Sequence, residues 1–115
     1  MISLQLQDNI LEVGETLTGQ FRWTGTATPK AINLRVCWRT EGRGTVDTEA
    51  IYTNAFVGTT SFTFSCKLPP IGPISYDGQI LRVIWEVRAA ADFPGLFRRK
   101  EEQEVKVFRV VPRGA

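Results

Sequence analysis

Apolar and polar residues alternate along most of this chain with the two-residue period of a strand that buries one face. Ile2, Leu4 and Leu6 alternate with Ser3, Gln5 and Gln7, and Asp8-Asn9 supplies a turn. Residues 10–13 read as extended, and Gly14-Glu15 interrupts them. Alternation resumes over 16–24 with Leu17, Phe21 and Trp23 on one side and Thr18, Gln20 and Arg22 on the other. Gly19 falls on the inner side, where a bend or close packing is expected. The clearest strand of the first half covers 31–40, with Ile32, Leu34, Val36 and Trp38 facing one way and Asn33, Arg35, Cys37 and Arg39 the other.

Residues 45–56 are weakly patterned and read as an edge strand able to carry a bulge. Residues 61–68 set Phe62, Phe64, Cys66 and Leu68 against Thr63, Ser65 and Lys67. In the long run that follows, Leu81, Val83, Trp85, Val87 and Ala89 alternate with Arg82, Ile84, Glu86 and Arg88. A last strand is expected over about 101–111, with Val105 and Val107 inward. Between the sixth and seventh runs lie Pro69, Pro70 and Pro73. Proline fixes φ and has no N–H to give a sheet, so this crossing is expected to stay out of both sheets. Asp77-Gly78 then turns the chain into the next strand.

No stretch of ten residues carries a convincing 3.6-residue apolar period. The expectation is an all-β, two-sheet antiparallel sandwich of about seven or eight strands with little or no helix, forming a single domain over 1–115. The 115 residues, 43% hydrophobic and 23% charged, suit one soluble domain with its own core. Fourteen basic against twelve acidic side chains is too even a balance to imply nucleic acid. No apolar run approaches a membrane span, and the first residues lack a signal peptide's basic and apolar regions, so a cytoplasmic location is expected. Parity puts Cys37 on the outer face of its strand and Cys66 on the inner, which argues against a disulfide between them.

The chain has no histidine, which removes the commonest general base, the usual Ser and Cys triads and the commonest zinc ligand. Two widely spaced cysteines do not make a structural zinc site, and phosphate-cradling or dinucleotide-binding glycine motifs are absent. Asp47 with Glu49, or Asp77 with Asp92, are the carboxylate pairs left for hydrolytic or calcium chemistry, and neither has ligand or glycosidase spacing. No enzymatic activity, cofactor or metal is expected.

Two stretches resemble the arrestin family. Asn9-Ile10-Leu11-Glu12-Val13-Gly14-Glu15-Thr16-Leu17-Thr18-Gly19-Gln20-Phe21 looks like the family's early strand, with Gly-Glu between apolar positions. Phe62-Thr63-Phe64-Ser65-Cys66-Lys67-Leu68-Pro69, then Pro73-Ile74-Ser75-Tyr76-Asp77-Gly78, then Ile84-Trp85-Glu86-Val87-Arg88-Ala89 is similar to its proline crossing and following strand. The resemblance implies an immunoglobulin-like sandwich of the type that arrestins use twice. It also implies a non-enzymatic scaffold or adaptor that binds other proteins. The chain departs from the pattern in having room for one sandwich and in lacking a Pro-Pro-x-Tyr motif.

Three surfaces are candidates for that role. The first is the 92–100 loop, where Phe93, Leu96 and Phe97 precede Arg98, Arg99 and Lys100. Such a loop either docks a protein groove or plugs one end of the sandwich, and burial of aromatics is the commoner outcome. Contact with an anionic membrane is a lesser expectation. The second is an exposed edge strand, which offers strand addition and homodimerisation. The third is a basic face from Arg22, Arg35, Arg39, Arg82 and Arg88, all of outward parity, against the plainer reading of scattered surface arginines. A carbohydrate- or other ligand-binding sandwich is the alternative of another class. It needs exposed aromatics, whereas Trp23, Trp38 and Trp85 all have inward parity.

Overall fold

In the computed structural model, which describes residues 2–25, 29–42, 47–78, 81–93 and 102–114, the alternating segments form strands of two packed sheets. In chain order they are β1 (Ile2–Leu6), β2 (Ile10–Glu12), β3 (Thr16–Trp23), β4 (Ala31–Gly42), β5 (Thr48–Val57), β6 (Ser61–Lys67), β7 (Tyr76–Asp77), β8 (Leu81–Asp92) and β9 (Glu102–Val111). The smaller sheet has the order β1-β3-β6. The larger runs β2-β9-β8-β4-β5, with β7 also on β8. Pairing is antiparallel except between β2 and β9. That parallel pair arises because the chain leaves the small sheet at Asp8-Asn9 and continues into the large one as β2.

The inner faces meet in one core. Leu4, Leu17, Phe21, Ile32, Leu34, Val36, Trp85, Val87, Phe108 and Val110 are all buried in it. Each such side chain contributes roughly 1.5–3 kcal/mol relative to an exposed one. Gly19 is required by close approach: a Cβ there would lie 2.4 Å from the Phe64 ring and 2.8 Å from the Gln5 carbonyl oxygen. Gly14, at φ +83°, closes the turn in which Glu15 N–H donates to Glu12 C=O at 3.1 Å.

The proline crossing lies outside both sheets and is tied to them by polar contacts. Trp85 Nε1–H donates to the Pro73 carbonyl at 2.9 Å. Ser75 N–H donates to Val110 C=O, and Val110 N–H to Ser75 Oγ, both at 2.8 Å. A buried indole N–H needs such an acceptor, so Trp85 fixes the crossing and fills the core together.

One expectation is corrected. Val105 and Val107 do not point inward: they are 37% and 62% exposed, while Phe108 and Val110 are buried. β9 offers two apolar phases one residue apart, and its register on β8, with Phe108 opposite Trp85, puts the bulkier phase in the core. Cys37 does lie on the outer face, opposite Glu86, yet it is fully buried. The arginine side chains flanking it cover that part of the sheet.

Candidate protein-binding surface

β5 is the edge strand that the weak patterning of its segment predicts. It is ten residues long and pairs with β4 alone among the described residues. The register shifts between Val36 and Cys37, which oppose Tyr52 and Ala50 and leave Ile51 as the extra residue of a bulge. Beyond Glu49 the strand has no charge, and Ala50, Thr53, Asn54, Ala55 and Val57 are exposed. Long uncharged edges of this kind template the pairing of another chain, and proteins usually blunt them with lysine or proline.

The backbone of β5 shows which of its groups face outward. Ala55 N–H donates to the side chain of Asn54, Oδ1 at 2.9 Å. Thr40 N–H donates to Asp47 C=O in the same register, so even-numbered residues of β4 bond β5, and the Ala55 amide, opposite Asn33, points at the open edge, satisfied by a local contact that an incoming strand can replace. The inner side of the strand is fastened: Phe56 stacks on Phe62 of β6, and Phe62 on Phe21 of β3.

On the outer face of the large sheet, Arg35, Arg39, Arg82 and Arg88 come together, whereas Arg22 lies on the small sheet. Sequence parity placed Glu86 among them but did not forecast its burial, 1% exposed. Glu86 Oε1 accepts from Arg88 Nε at 2.7 Å and lies 3.3 Å from Arg39 Nε, without hydrogen-bond geometry in the second case. The Cys37 thiol donates weakly to the same oxygen at 3.9 Å. Burial pushes the Cys37 thiol above its ordinary pKa, partly offset by Arg35, and burial does the same to Cys66. Both thiols are free, one on each sheet. Arg39 also pairs with Glu41, whose carboxyl is thereby held below the usual carboxylate range. Arg82 pairs with Asp77 at 2.9 Å and Glu41 at 3.4 Å.

Of the 92–100 loop, Phe93 is described. It is half-buried against the core, its ring edge-on to Trp23 with centroids 5.2 Å apart. Leu96, Phe97, Arg98, Arg99 and Lys100 lie outside the described residues. Trp23 and Trp85 are buried, and Trp38 is half-buried against the core. Asp77 and Asp92 do not converge: Asp77 faces Arg82 at one end of β8, and Asp92 sits at the other. Among the described residues no group of three His, Cys, Asp or Glu is placed to hold a metal ion, and no helix is long and apolar enough to cross a membrane.

No family model matches the chain, and no curated protein does. Among solved structures, it is similar to Spo0M, a sporulation control protein from Bacillus subtilis, at 20% identity and a TM-score of 0.66. The match covers 95% of this chain and 48% of that one, so the chain spans about half the length of Spo0M. The likeness bears out the β-sandwich of arrestin type expected from the two sequence stretches.

Proposed function

We propose that the chain is a non-enzymatic protein-binding module whose arrestin-type sandwich takes a partner segment as an added strand on β5. The observation that carries this reading is the ten-residue open edge, uncharged beyond Glu49, with the Ala55 amide turned outward. Main-chain pairing supplies affinity in such complexes, and the side chains beside the edge supply specificity. A regulatory or adaptor role agrees with the fold neighbour Spo0M being a sporulation control protein. A second copy is one partner that the edge admits, giving a homodimer paired through β5. A cytoplasmic setting fits the two free thiols.

The test is affinity capture from the source cells with the wild-type chain and with Ala55→Pro. Proline at an outward-facing edge position removes the donor for an added strand and leaves the β4 ladder intact. Partners retained by the wild type and lost by a folded Ala55→Pro variant support the reading. Equal capture by both refutes it.

A further inference from the structure

Arg35 and Arg88 oppose each other directly in the β4–β8 register, on the outer face. Like charges in that position repel unless something negative lies near. Glu86 serves this need for Arg88, but its Oε1 is already shared with Cys37 and approached by Arg39. Arg35 lies against the Cys37 thiol, and no carboxylate contacts it among the described residues. The two guanidinium groups border a shallow hollow of about 250 Å³ whose other polar side chains are Asn33, Thr53 and Gln103. Among the described residues no acidic side chain lines it. Arginines beside neutral hydrogen-bonding groups are the chemistry that receives a carboxylate.

The hollow reaches the open edge, because Thr53 of β5 stands opposite Arg35 on the same face. A strand added to β5 lies two strand spacings from β4, about 10 Å. Arg35 and an acidic side chain of the added strand together bridge that gap, over the small side chain of Thr53. A second copy of this chain does not supply that acid through β5. The sole acid of β5, Glu49, opposes Trp38 and so has the inner-facing phase.

The geometry points to an acidic peptide as the partner segment: an extended strand on β5 whose outward Asp or Glu, level with Thr53, is received by Arg35, with the charge of Arg88 behind it. This rests on the strand-addition reading and adds the chemistry of the ligand to it.

The probes are two blocked, fluorescein-labelled eight-residue peptides, one alternating valine with glutamate and the other valine with glutamine, titrated by fluorescence anisotropy. The proteins are wild type, Arg35→Gln and Ala55→Pro, each checked for fold by circular dichroism. Arg35→Gln leaves the Glu86 contacts of Arg39 and Arg88 in place. The glutamate peptide is expected to bind the wild type about tenfold more tightly than the glutamine peptide. Arg35→Gln is expected to abolish that preference, and 0.5 M salt to reduce it. Equal binding of the two peptides, both lost in Ala55→Pro, overturns the acidic receptor and leaves strand addition standing. A glutamate preference that depends on Arg35 but survives Ala55→Pro supports the receptor and refutes strand addition. Absence of glutamate-peptide binding, or displacement of that peptide by millimolar inorganic phosphate as effectively as by unlabelled peptide, overturns the proposal.

Discussion

Phe56 and Phe62 stack with ring centroids 3.7 Å apart and planes 13° from parallel, joining the edge strand of one sheet to the edge strand of the other. The stack holds β5 against the sandwich from inside while its outer backbone stays open. Phe56→Ala removes it, and both rings are half-buried, so a loss of about 2 kcal/mol is expected. Urea unfolding of the variant measures this. A midpoint equal to wild type shows that β5 is held by β4 alone.

Glu86 is the negative centre of the outer face, buried between Arg39 and Arg88. Replacing it by alanine leaves the Arg88 guanidinium without its carboxylate and Arg39 with Glu41 alone, at a cost of about 1–3 kcal/mol. Glu86→Gln keeps the shape and an acceptor and is expected to cost less. Equal losses for the two variants indicate that packing, and not charge, holds this part of the sheet.

The thiols give the fold a pH dependence at the alkaline end. Burial raises the pKa of Cys37 and Cys66, so the folded state keeps protons that the unfolded thiols release above about pH 8.5. Their contribution to stability is full below that value and is lost as the pH rises through the folded pKa. Urea midpoints are expected to fall between pH 7 and pH 10, and to fall less in a Cys37→Ala, Cys66→Ala double variant. At the acidic end Glu41 acts in the opposite sense: Arg39 lowers its pKa, so its contribution is present above about pH 4.3 and is lost as the pH falls.

Phe93 packs edge-on against Trp23, which ties the start of the 92–100 loop to the core. Phe93→Ser is expected to lower stability by about 1–2 kcal/mol and to change Trp23 fluorescence. A fully stable variant that loses its partners identifies Phe93 as a docking residue instead.

The period-two alternation of β1, β3, β4 and β6 was legible in the sequence because each strand packs one face against the core and leaves the other largely polar. The proline crossing was legible for a related reason, since three prolines have no place in either sheet. β5 could be read as an edge from its lack of a clear apolar phase, which the structure explains by the bulge at Ile51 and by β4 as its only neighbour among the described residues. Alternation gave the face of Cys37 and Glu86 but not their burial. Whether an outward residue is covered depends on long side chains from neighbouring strands, and the register that brings Arg39 and Arg88 over Glu86 is a tertiary fact. The phase of β9 was misread for a like reason: both Val105-Val107 and Phe108-Val110 satisfy period two, and only pairing with Trp85 chooses between them. The outward Ala55 amide and the Arg35–Arg88 opposition likewise depend on register.

Backbone hydrogen exchange of the complex between the chain and a captured partner tests the central claim most directly. Strand addition on β5 predicts that amide exchange slows over residues 53–57, with Ala55 among the protected sites and the interior strands β4 and β8 unchanged. Protection confined to another surface, with exchange over 53–57 the same in the free and bound protein, contradicts it.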